Sequence, residues 1–168
     1  RSNSTEPNLM VYFGTGQYLA DDDNLSTSTQ TMYGVWDTSV GELDRSNLQV
    51  QAISTSSGVS GGRDITTNTV DYVSNSEYGW FINLPDTGER IVVEPVVVGE
   101  IVFFNTMVPE GVICTPGGYG YLMFVDRMSG GQPDFTVLDY DNDGVYDDTI
   151  VGGMQLDAIP GGGRLIDD

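Results

Sequence analysis

Gly79-Trp80-Phe81-Ile82-Asn83-Leu84-Pro85-Asp86-Thr87-Gly88 is a short apolar run stopped by a turn. Aromatic and β-branched side chains fit a pleated, half-buried strand better than a helix. Pro85 presets one backbone dihedral of the turn, and Gly88 accepts a positive φ. The same punctuation recurs on both sides. Downstream, residues 90–98 and 101–108 flank Gly99-Glu100 and form the clearest hairpin of the chain, with Pro95 marking a bulge or an exposed edge. Residues 119–125, 135–138 and 151–159 read as further strands. Upstream, Leu9-Met10-Val11-Tyr12-Phe13 runs apolar up to Gly14, residues 31–36 follow, and residues 47–53 alternate with Leu48 and Val50 inward. Residues 54–63 are Ser- and Gly-rich and read as loop; residues 64–73 are Thr-rich and read as an edge strand. Apolar spacing is two or continuous, and 22 glycines interrupt it, so no helix is expected. The fold class is all-β, with about nine or ten short antiparallel strands. Residues 1–8 form an extended polar arm, 9–160 the β domain, and 161–168 a tail.

The charge balance is one-sided. Six Arg stand against 25 acidic residues, Lys and His are absent, and the formal charge is −19. Such a surface repels nucleic acid and anionic membranes and favours divalent cations. A hydrophobic fraction of 39% is too high for a disordered acidic tail. No apolar run approaches the roughly 18 residues that span a bilayer, so no membrane insertion is expected. The chain opens on Arg1 without an apolar leader segment, which fits either a removed leader or a place within a longer protein. Cys114 is the single cysteine, so no internal disulfide forms; it reads as a small buried hydrophobe, with a bond to another chain as the alternative.

Without His or Lys there is no His-based triad, no Schiff base and no Walker-type phosphate site. A carboxylate-pair glycosidase is compatible with composition, but no second cleft pair stands out. The expectation is a protein that is not an enzyme.

Residues 139–148, Asp139-Tyr140-Asp141-Asn142-Asp143-Gly144-Val145-Tyr146-Asp147-Asp148, carry the one chemical motif. Asp139, Asp141 and Asp143 stand at loop positions 1, 3 and 5, where alternate side chains point at one centre. Gly144 allows the sharp turn, the carbonyl of Val145 faces the same centre, and Asp147 closes the shell with help from Asp148. All donors are oxygen, which suits a hard cation such as Ca²⁺ rather than zinc or copper. Ile150 replaces the bidentate Glu of an EF-hand, and a strand precedes the loop where an EF-hand has a helix. The alternative is a solvated acidic turn. Asp21-Asp22-Asp23-Asn24 is a weaker second candidate, because adjacent side chains diverge.

Several stretches together resemble the C-terminal region of the PilY family of type IV pilus tip-associated adhesins. They are Val11-Tyr12-Phe13-Gly14-Thr15-Gly16-Gln17-Tyr18-Leu19, then Thr29-Gln30-Thr31-Met32-Tyr33-Gly34-Val35-Trp36-Asp37, the strand and turn at 79–92, and residues 117–126 and 136–148, in the family's order. The resemblance implies a partial β-propeller-like domain of about three blades, with a β-sandwich as the alternative. It also implies Ca²⁺ on Asp139, Asp141, Asp143, Val145 and Asp147, an extracellular, pilus-associated location, and pilus components or a surface ligand as partners. The family's propeller is longer than this chain, which leaves open strand edges for other sequence or neighbouring copies to cover. A self-assembling extracellular filament subunit is therefore the alternative function.

Overall fold

The computed structural model describes residues 7–19, 21–38, 41–56, 58–74, 76–110, 117–140, 143–146 and 148–158. Among the described residues ten strands form two open sheets. The first sheet has the order β1 (Met10–Gly14), β2 (Thr31–Trp36), β6 (Gly79–Asn83), β3 (Gln49–Gln51). The second has the order β4 (Ile53–Thr55), β5 (Gly62–Ile65), β10 (Gly153–Leu156), β9 (Gly118–Asp126), β8 (Ile101–Pro109), β7 (Val96–Val98). All pairs are antiparallel except β3 with β6. Two short 3₁₀ turns, Asp21–Leu25 and Arg45–Asn47, are the helical pieces among the described residues.

The two sheets share one core. Met32, Trp80 and Ile82 from the first sheet meet Ile65, Val102, Phe104, Met123 and Val125 from the second. Trp80 is fully buried and lies in a slot cut by two glycines. A Cβ at Gly34 would stand 2.4 Å from the indole, and one at Gly130 would stand 2.3 Å from it. A second core covers the other face of the larger sheet, where Val59, Ile101, Phe124 and Val151 carry Val137 and Leu138.

Several sequence boundaries shift for physical reasons. The expected strand at 47–53 is broken at Ala52, where the chain leaves one sheet and joins the other. Only the last three residues of 90–98 pair with β8 as a strand, beyond Pro95, which has no N–H to donate. Arg90 reaches Met107 through an isolated bridge instead. Residues 135–138 are not a strand: Val137 and Leu138 pack on the sheet face, and the Thr136 hydroxyl donates to the Asp148 carbonyl at 2.8 Å. Strand β5 begins inside the stretch read as loop, and the Thr-rich residues after it are irregular.

Candidate metal loop and the buried Arg63 cluster

The acidic loop sits on the outer face of the larger sheet, anchored by Val137 and Leu138 just before Asp139. The Asp139 carboxylate accepts from the backbone N–H of Asp143 at 3.2 Å and of Gly144 at 2.9 Å. The Asp143 carboxylate accepts from the Val145 N–H at 2.8 Å. Gly144 has φ +86°, the left-handed conformation that the motif assigns to glycine. Asp148 closes the base of the loop by accepting from the Tyr140 N–H at 3.0 Å. Asp139 and Asp143 are thus brought to one turn, and Val145 lies on its exposed side. Asp141 and Asp147 lie outside the described residues, as does Cys114. Among the described residues no three metal-ligating side chains come together.

The second acidic candidate has a structural role. Arg90 is buried, and its guanidinium donates to the carbonyls of Gly88, Gln17, Asp23 and Ser26. One cation thereby holds the 3₁₀ turn Asp21–Leu25 against the core. The Asp23 carboxylate accepts from the Leu19 N–H at 2.7 Å.

A further constellation stands at the polar end of the space between the sheets, and residue spacing did not single it out. Arg63 of β5 is buried and forms a fork with Glu89, at 2.6 Å and 3.0 Å. Glu89 is completely buried and also accepts from the Thr106 hydroxyl at 2.5 Å. The guanidinium lies 3.2 Å over the ring of Tyr121. Asp86, in the turn after β6, faces Arg63 at 3.2 Å and accepts from the hydroxyls of Tyr119 at 3.0 Å and Tyr121 at 3.3 Å. Burial, then the hydrogen bond to Asp86, pushes the Tyr119 phenol up to about 12. Burial raises Tyr121 too, with Arg63 working against it and Asp86 and Glu89 adding to it. The sequence carried a faint signal: in a chain with six basic residues, an Arg beside a β-prone stretch needs a carboxylate partner if it is buried.

With this geometry in hand, comparison with known proteins decides the affinity of the chain. A type IV pilus biogenesis factor PilY1 homolog of Xylella fastidiosa is 35% identical over 131 residues, which are 73% of this chain and 9% of that protein. The type IV pilus biogenesis factor PilY1 of Pseudomonas aeruginosa is 29% identical over 167 residues, covering 85% of this chain and 14% of that protein. The crystal structure of the Pseudomonas aeruginosa PilY1 C-terminal domain superposes with a TM-score of 0.73 at 26% identity, over 90% of this chain and 37% of that one. The chain resembles the PilY1 C-terminal domain. It spans about a sixth or less of the curated PilY1 proteins it matches. No protein-family model matches it.

Proposed function

We propose that the chain is a calcium-binding, non-enzymatic PilY1-like module that works with type IV pilus components at the cell surface, as part of a larger propeller-like domain. The observation that carries the calcium reading is the turn at Asp139. Its carboxylate gathers the N–H groups of Asp143 and Gly144, a turn of the kind expected where an Asp-x-Asp-x-Asp-Gly motif holds a cation, and this supports the reading. The names of the relatives support the pilus setting. Calorimetric titration with Ca²⁺ tests the reading, together with melting in Ca²⁺ or chelator. Heat of binding and a calcium-dependent rise in melting temperature support it. Identical melting in both, with no heat, leaves only an acidic turn.

A second reading, a self-assembling filament subunit, draws on the free edge of β1. Bonds from Asp37 to the Leu9 carbonyl and from Thr15 to the Thr31 carbonyl, both 2.9 Å, set the pairing parity with β2. The N–H and C=O groups of Met10, Tyr12 and Gly14 therefore face away from the sheet. They face a groove of about 500 Å³ along Ile91, Val93 and Pro95, where an added strand would pair. Sedimentation and electron microscopy separate the readings: a monomer at micromolar concentration removes the filament.

A further inference from the structure

We propose that the cavity between β4, β5 and the Pro85-Asp86 turn binds a neutral polyhydroxylated ligand the size of one pyranose ring. The cavity measures about 420 Å³, within the roughly 300–1,000 Å³ of small-molecule sites. It opens where the inner face of the larger sheet turns from apolar to polar. Strand registry places Thr55 opposite Arg63, and Gln155 opposite Tyr121, on that one face. Gly61, with φ +74°, leaves its wall clear; a Cβ there would stand 3.4 Å from that of Gln155.

The walls are already built. Arg63 is fixed by Glu89 and by the ring of Tyr121, and it fixes Asp86 in turn. All three donors to the Asp86 carboxylate, Arg63, Tyr119 and Tyr121, reach the same oxygen, Oδ2. Among the described residues none reaches Oδ1, although the side chain is only 30% exposed. The Thr55 hydroxyl and the Gln155 amide, which also line the cavity, make no protein hydrogen bond among the described residues. The cavity thus offers one open carboxylate acceptor, one amide with both functions, and one hydroxyl. Ile53, Pro85 and the ring of Tyr121 supply an apolar wall.

Ligand chemistry follows from that inventory. Arg63, Glu89 and Asp86 sum to one negative charge in a chain of −19, which disfavours anions. A metal or ammonium would find a single carboxylate oxygen, already weakened by three donors on its partner atom. A hydroxyl both donates and accepts, so adjacent hydroxyls on one ring satisfy Oδ1, the amide and the threonine together. The C–H face of the same ring suits the apolar wall. The pocket lies on the opposite face of the sheet from the acidic loop, so the inference does not rest on calcium binding.

The test is amide-resolved NMR titration of the chain with methyl glucoside, methyl mannoside, methyl galactoside and N-acetylglucosamine, each in Ca²⁺ and in chelator, with methylammonium and guanidinium as cationic probes. At least one sugar should shift the amides of Thr55, Gly61, Asp86 and Gln155, with millimolar affinity and in chelator as well. Thr55→Val and Gln155→Ala touch no buried pair; each should weaken that binding about three- to tenfold, the worth of a neutral hydrogen bond, with melting unchanged. No shift at these amides with any sugar, shifts that survive both variants intact, or tighter binding of the cationic probes would overturn the proposal. Sugar binding that disappears in chelator would overturn it too, whereas loss of calcium binding alone leaves it standing.

Discussion

Trp80 donates its indole N–H to the backbone carbonyl of Arg127 at 3.1 Å, which ties the middle of the smaller sheet to the end of β9 in the larger one. The Tyr12 hydroxyl donates to the same carbonyl at 3.0 Å. The Arg127 side chain pairs outward with Glu100 at 2.7 Å, an exposed contact of small energetic weight. What fixes the sheets relative to each other is therefore the buried indole and the backbone it touches.

Gly130 closes the slot of that indole, so adding one methyl group is costly twice. Its φ of +68° disfavours any Cβ, and the Cβ would overlap the ring at 2.3 Å. Gly130→Ala should lower stability by about 2–4 kcal/mol. Urea unfolding followed by tryptophan fluorescence measures it, with Gly99→Ala as the control. Gly99 shares the positive φ but has open space around its Cβ, so the difference between the two isolates the overlap.

The Arg63–Glu89 pair should behave as a buried ion pair whose halves depend on each other. Arg63→Met strands the completely buried Glu89 and should cost about 3–5 kcal/mol, whereas Glu89→Gln leaves Arg63 with Asp86 and should cost less. The double variant should cost clearly less than the sum of the singles, because the buried position 89 no longer carries a charge without its partner. Thermal or urea unfolding of the four proteins gives the coupling. Additive losses would mean that the two groups are wet enough to act independently.

The architecture class was legible in the sequence because strand spacing and turn residues are local signals. Gly79 to Gly88 reads directly as strand and turn. The Arg63 cluster was not legible, because its members come from β5, the 85–89 turn, β8 and β9, and only the sheet order brings them together. The break at Ala52 was hidden for a related reason. Alternation continues smoothly through residues 47–53, and nothing local says that one half pairs with β6 and the other with β5. The acidic loop was legible as a motif, and the structure adds a role for its first residue, since the Asp139 carboxylate holds the turn.

Alkaline pH should destabilise the chain before it exposes other chemistry. Burial pushes the Tyr12 phenol up to about 12, Tyr119 reaches about 12 as well, and burial raises Tyr72, whose hydroxyl donates to the Met128 carbonyl at 2.6 Å. An unfolded phenol titrates near 10. Between about pH 10 and 12 the folded chain therefore holds more protons than the unfolded one, and stability falls as pH rises through that window. Melting temperature against pH, read beside tyrosinate absorbance, should show the decline beginning near pH 10. Tyr12→Phe and Tyr119→Phe should each flatten it; a profile level through pH 12 would show that these hydroxyls ionise freely in the folded state.

Asp139→Asn separates the two roles of the first loop residue. The Asp143 N–H is held by Oδ1 and the Gly144 N–H by Oδ2, so an asparagine keeps one of the two bonds and turns its NH2 toward the other N–H. It removes one negative charge from a run that holds Asp139, Asp141, Asp143, Asp147 and Asp148 within ten residues. In chelator the lost bond and the relieved repulsion oppose each other, so the variant should melt close to the parent temperature. In Ca²⁺ the variant should fall well below the parent, because the metal loses a charged ligand while the parent gains about 2.7 kcal/mol at a hundredfold excess over Kd. Mg²⁺ should restore little, since its smaller octahedral shell fits the loop poorly. The widening of the gap in Ca²⁺ is the decisive outcome: the same difference between parent and variant with Ca²⁺ and with chelator would leave Asp139 as a turn residue alone.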